Sequence, residues 1–344
     1  MTFPWRVLPM VVLAWTLAAC QPTSAPVKTL PHPQGVASSL KPNMLMDAVF
    51  GHDDQVAPNG VQWRAVLALP PAVAARLPEH TVGLSAAQRA AASQAASAIV
   101  PPQTLPAPEP TEVWVKPRQV VRINDERAAL VFESAPFNKA GKEWTPDTQA
   151  WLGVVFFQKI ANGKDKEQGA SAKDVPEQWQ VEQFVPYVDA LGYNGTAGES
   201  EVYKLSQDHY LLAFNTAQCA SGLCVGWLNA YQLHAGDMQP VLRVQLSGSN
   251  FGAYTDCAAR LLGHRKAPAA SAASGGSHHT CYAIDGETHL LSREVGDADL
   301  VVQYNGWRST PGHTRQLIQL SERYRMVDGR YQRLGQGKSA IPWE

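Results

Sequence analysis

His278, His279, Cys281 and His289, with Asp285 and Glu287 among them, form the densest run of metal-type ligands in the chain. Imidazole, thiolate and carboxylate are the donors that zinc takes, but the spacing alone fixes no geometry. The paired histidines close a low-complexity stretch, and Cys281 is more simply half of a disulfide. Asp297 and Asp299 flank Ala298 in the manner of an acidic calcium loop, yet the D-x-D-x-D-G run and distal glutamate of an EF-hand are absent. They are the candidate calcium pair in a chain for which no metal and no cofactor is expected. Gly335-Gln336-Gly337-Lys338-Ser339 imitates the end of a phosphate loop, but Gln332 stands where its first glycine belongs. Gly248-Ser249-Asn250 is no G-x-S-x-G nucleophile elbow, and there is no H-E-x-x-H. No catalytic residue is assigned, although a Ser/His/Asp set assembled in space would leave no local signature.

Four cysteines, Cys219, Cys224, Cys257 and Cys281, lie in the second half of the chain. An even number in an exported chain favours disulfides, and their order suggests 219–224 and 257–281, though four cysteines allow three connectivities. The rival is a four-cysteine zinc site, against which the spacings speak, since they lack paired C-x2-C knuckles. Each bridge would contribute about 2–3 kcal/mol.

The fifth cysteine gives an address. Arg6 precedes an apolar run from Val7 to Leu17, too short for the about 20 residues of a membrane span, and Leu17-Ala18-Ala19-Cys20 closes it. This resembles the lipobox of bacterial lipoproteins. The resemblance implies that residues 1–19 are a signal peptide and that Cys20 becomes the first mature residue, carrying a diacylglyceryl thioether and usually a third acyl chain such as palmitate. Several chains anchor stably where one is marginal. Gln21 in place of an inner-membrane retention aspartate implies the outer membrane, with the protein facing the periplasm.

What would stand on that anchor is a chain of 344 residues with 45% hydrophobic content and a formal net charge of -1. Such a balance carries no electrostatic footprint for nucleic acid or for anionic lipid. Residues 20–60, rich in Pro, Ser and small polar residues, read as a flexible lipidated tether. Residues 61–110 read as a short strand (Val61 to Leu67), an alanine-rich helix over 85–99 with Ser85 and Gln88 as a capping box, and a Pro-rich linker. From Thr111 to the end, short Val-, Leu-, Phe-, Tyr- and Trp-rich segments between Gly, Asp, Asn and Pro turns predict a β domain.

That domain repeats itself. Val120, Ile123, Leu130, Phe132, Ser134 and Ala135 match Val202, Leu205, Leu212, Phe214, Thr216 and Ala217 at one constant offset, and Trp-Leu opens the next aromatic strand in each copy, at Trp151 and Trp227. A third, looser unit runs from Tyr282 and ends in the Asp328-Gly329 hairpin signal. The expected fold is mainly β: repeated antiparallel sheets, propeller-like or stacked, preceded by the tether and the short helix, with a mobile loop over 264–279. The Asp299-Leu300-Val301-Val302 run and the terminal Tyr324 to Tyr331 hairpin resemble FG-GAP-like β-propeller proteins of bacterial envelopes over about the last fifty residues. A tethered, disulfide-braced β domain without visible chemistry points to a protein-binding module, an envelope assembly factor or a periplasmic inhibitor of immunity type. The alternative is a cell-wall-directed enzyme or a small-molecule or glycan binder, which a close carboxylate pair or a preformed polar pocket would favour.

Overall fold

The computed structural model describes residues 33, 35–52, 54–57, 60–70, 109–136, 144, 148–160, 177–220, 222–254, 256–262, 280–310 and 315–335. The leader with Cys20, the predicted helix over 85–99, the loop over 264–279 and the histidines 278 and 279 lie outside them.

The described chain is mainly β, in two antiparallel sheets that do not close. The first runs in the order β1 (Val36–Ala37), β7 (Gln178–Leu191), β6 (Ala150–Ile160), β5 (Arg127–Pro136), β4 (Glu109–Arg122), β3 (Gly60–Leu69) and β2 (Asp54–Ala57). The second is an uninterrupted meander: β8 (Glu199–Ser206), β9 (His209–Ala220), β10 (Leu223–His234), β11 (Asp237–Ser249), β12 (Cys281–Leu291), β13 (Asp299–Ser309), β14 (Gln316–Val327) and β15 (Arg330–Arg333). Among the described residues two helices accompany them, α1 (Pro42–Phe50) and α2 (Cys257–Leu262).

The repeat seen in the sequence is a repeat of pairing. Val120 faces Leu130 across β4 and β5, and their counterparts Val202 and Leu212 face each other across β8 and β9. Ser134 pairs with Trp151, and Thr216 with Trp227. The two copies also take the same orientation in successive layers. Leu130 and Phe132 pack with Trp63, Trp179 and the buried face of α1, while the opposite face of the same strands, Ala129, Val131, Val154 and Phe156, meets Leu212, Phe214, Tyr231 and Leu233 of the second sheet. The far face of β9 and β10, including Leu211 and Leu228, packs on Ile284, Leu300, Val302 and Tyr304. The second sheet must therefore fold over on itself, and it does so where β11 and β12 share two paired positions, Gly248 with Ile284 and Ser249 with Ala283. Contacts recur with a four-strand period: β3 lies against β7, β7 against β11, and β11 against β15. Pro186 and Pro240 sit in β7 and β11, whose outer edges are paired only at one end, the kind of strand that tolerates proline.

Two expectations are corrected here. Residues 20–60 are not tether throughout: Val36–Ala37 pairs with Trp179 and Gln180, and Pro42 starts a helix whose Leu45, Met46, Val49 and Phe50 are buried. The physical reason is a short i, i+1, i+4, i+5 apolar stripe, invisible against a Pro- and Ser-rich background but sufficient to cover the open face of the first sheet. The β domain also does not begin at Thr111, because β3 pairs with β4 from Trp63–Val115 to Leu69–Glu109. The Asp328-Gly329 hairpin forms as expected, with both residues at positive φ (50° and 75°) as a type I′ turn requires.

Candidate functional site

Antiparallel meandering sorts the loops to two ends of the sheets. One end carries the connections β5–β6, β7–β8, β9–β10 and β11–β12, and with them both disulfides. Cys219 and Cys224 are bonded directly across β9 and β10, and Cys257 at the start of α2 is bonded to Cys281 at the start of β12. The second bridge, with Leu261, Tyr254, Ala283 and Trp307, seats α2 on the outer face of β12 and β13. Asp256 lies beside Cys257 and Cys281, but both sulfurs are consumed by the bond.

Beneath this end lies a polar centre between the sheets. Glu133, 1% exposed, interrupts an apolar strand. Its carboxylate takes Lys116 Nζ at 2.7 Å and the Ala197 N–H at 2.9 Å, with Arg118 Nε at 3.6 Å. Arg118 also donates to the Gly198 carbonyl, and Gln119 donates to Ser200 O and Oγ at 3.1 and 3.0 Å. These bonds pin the 192–198 connection, whose Gly195 has φ 69° and would place a Cβ 2.5 Å from the Trp144 ring. Across Leu152 from Glu133, in register, stands Asp189. It accepts from Tyr231 Oη at 2.7 Å and from the Ala190 N–H at 2.8 Å. Burial raises the Asp189 carboxyl above the usual range against those two bonds and Arg243, and burial beside Asp189 lifts Tyr231 well above an ordinary tyrosine. Ser134 Oγ, Gln218 Oε1 and Arg243 Nε are buried without a hydrogen-bond partner among the described residues. Two strand spacings separate the Glu133 and Asp189 backbones by about 10 Å, and Glu133 is ion-paired with Lys116 and accepts from the Ala197 N–H. Glu133 ties the first sheet to the connection leading into the second, and Asp189 with Tyr231 bonds sheet to sheet.

No family model, curated protein or solved structure matches the chain. What the centre does must be read from its own geometry.

The opposite end carries the turns β4–β5, β8–β9, β10–β11, β12–β13 and β14–β15. Asp297, of the β12–β13 connection, gathers Ser206 Oγ at 2.8 Å, His209 Nδ1 at 3.2 Å and Gln232 Nε2 at 2.9 Å, and the His209 ring lies 5.6 Å from that of His234. Ser206 and His209 bond the same carboxylate oxygen, so the trio is an acid-centred clamp on the turns rather than a serine activated by histidine. Asp299, fully buried, is held by Arg323 at 2.6 Å and Arg325 at 3.0 Å, with Arg293 at 3.9 Å. Hydrogen bonds from Arg325 and Arg323 hold its carboxyl below the usual range. The candidate calcium pair is thereby corrected: three guanidinium groups stand around Asp299 where a divalent cation would have to enter, and Asp297 is committed to the turns. Of the metal-type ligands around Cys281, Asp285, Glu287 and His289 lie exposed along one face of β12 while Cys281 is buried in its disulfide. Between the β4–β5 and β8–β9 turns opens a cleft of about 620 Å³.

Sequence reasoning missed Glu133, Asp189 and His209. For Glu133 a signal was present: an acid in the middle of Leu130-Val131-Phe132-Glu133-Ser134-Ala135 must find a partner if that strand is buried.

Proposed function

We propose that the protein is an envelope lipoprotein that acts as a protein-binding module, an assembly factor or an inhibitor of immunity type. On this reading Cys20 carries the lipid, Gln21 sends it to the outer membrane, and the β domain stands in the periplasm. No helix among the described residues is long and apolar enough to cross a membrane. The observation that carries the reading is the disulfide-braced end: two cystines, the α2 seat and the Glu133 latch stiffen loops that present Phe251 and Leu262, 37% and 57% exposed. Rigid loops carrying exposed apolar side chains suit a docking surface, whereas the acids at this end are spent on holding sheets together.

The same reading takes the layers as three four-stranded blades, β4–β7, β8–β11 and β12–β15, in an open arc. The four-strand contact period and the shared orientation of the copies support it. Helix α1 packs on the outer face of the first sheet, and α2 seats on the disulfide end of the outer face of β12 and β13.

The test is capture from envelope extracts with the full mature chain, Cys20→Ser to keep it in solution, oxidised and reduced. A stoichiometric protein partner retained only in the oxidised state is expected. Equal capture in both states, or none, defeats the reading. In cells, Cys20→Ser should release the protein from membranes, and unchanged membrane association refutes the address.

A further inference from the structure

The cleft at the turn end belongs to none of the contacts used above. Its walls are the two equivalent turns of the repeat, and its lining includes Arg122, Asn124, Asp125, Lys204, Asp208 and Tyr210. It is a shallow site, largely open to solvent, with a volume of about 620 Å³.

Both walls are fixed before anything enters. Asn124 Oδ1 accepts the N–H groups of Glu126 and Arg127 at 3.0 and 2.8 Å, closing the first turn. The second is clamped through Ser206 and His209 to Asp297. Tyr210 Oη donates to the Arg122 carbonyl at 3.0 Å and ties one wall to the other. Prearranged walls spare a ligand the ordering cost of a mobile loop.

The lining chemistry then narrows the ligand. Arg122, already paired with Glu177 at 3.3 Å and with Asp125 at 3.7 Å, and Lys204 balance Asp125 and Asp208, so the formal charge of the lining sums to zero and a polyanion gains no net attraction. An apolar ligand would strip water from charged and amide groups and return no hydrogen bond. A neutral ligand dense in hydroxyls and amides can donate to the carboxylates and accept from the cations. Tyr210, packed on the core between the sheets, is the aromatic residue of the lining. We propose that this cleft binds a neutral saccharide, an N-acetylhexosamine oligomer being the fitting chemistry. The proposal goes beyond the protein-docking reading and uses the other end of the molecule.

The experiment is a titration of the soluble mature chain with tetra-N-acetylchitotetraose, followed by backbone amide NMR. A hexuronate oligomer and a neutral tetrapeptide serve as comparison ligands. Saturable shifts at Asn124, Lys204 and Asp208 are expected at micromolar to millimolar saccharide. Asp208 has φ 60°, a conformation asparagine tolerates, so Asp208→Asn keeps the turn while removing the charge. Asp208→Asn and Lys204→Ala should each weaken binding about tenfold with an unchanged melting temperature. Shifts that do not saturate, shifts elsewhere, variants that bind as well as the parent, or tighter binding of the hexuronate or the peptide each overturn the proposal. Because this test reads the turn end and capture reads the disulfide end, either can fail alone.

Discussion

Phe50→Ala tests whether the N-terminal segment is part of the fold or a tether. Phe50 closes α1 at 7% exposure, its ring centroid 5.5 Å from that of Phe132 and 6.1 Å from that of Phe184, both at edge-to-face angles. Removing a buried phenyl ring costs about 3–5 kcal/mol through lost transfer energy and the cavity left behind, and each edge contact accounts for about 0.5–1.5 kcal/mol. Against a net stability of about 5–15 kcal/mol the loss is large. It should lower the urea midpoint by about 1–2 M. Met44, on the exposed side of the same helix at 38%, supplies the control. Met44→Ala should stay within about 0.5 kcal/mol. The assay is urea unfolding of the chain from residue 20 onward followed by tryptophan fluorescence, since Trp63 and Trp179 lie in the same cluster. If Phe50→Ala unfolds at the same midpoint as Met44→Ala, α1 does not cover the first sheet and the layer argument fails at its first layer.

Three further outcomes follow from the same structure. A chain cut to begin at Thr111 loses α1 and β3, uncovers the first apolar cluster and should aggregate on purification, whereas the chain from residue 33 onward stays monodisperse by light scattering. The two perturbed acids act with opposite sign on stability. Asp189, its folded pKa raised, stabilises fully below its unfolded pKa and loses that contribution as pH rises through the folded value, so Asp189→Asn should gain on the parent as pH rises; Asp299, depressed, contributes above its ordinary value and loses it as pH falls, so the cost of Asp299→Asn should shrink in acid, both read from urea midpoints across pH. Cys219 is exposed while Cys257 and Cys281 are fully buried, so mild reduction followed by alkylation and mass spectrometry should label Cys219 and Cys224 first; Cys257→Ser, opening a separation of 24 residues, should cost about 3 kcal/mol in chemical unfolding.

The contrast between Leu130 and Glu133 shows how far local pattern reached. Alternating apolar residues, Trp-Leu strand openings and the Asp328-Gly329 turn report the strand and its near neighbour, and that pairing is local enough that one offset in the sequence became one offset in the ladder registers. The cysteine order likewise matched the bonding, because bridges closing short separations join neighbours in a meander.

What covers a sheet face, by contrast, is decided by segments far away in the chain. Nothing around Leu45 or Phe50 names Phe132 as a neighbour, so a docked helix read as tether. Asp299 followed a local calcium pattern, but Arg323 and Arg325 reach it only through the pairing of β13 with β14. The cleft needs two turns 80-odd residues apart to stand side by side, and the Glu133 latch needs the β7–β8 connection to fold over β5. The sequence by itself determined the strands and their hairpin partners; the stacking order, the fate of each carboxylate and the position of the cleft were decided by tertiary packing, because burial and long-range charge pairing depend on which faces meet, and alternation along a strand says only that each has two.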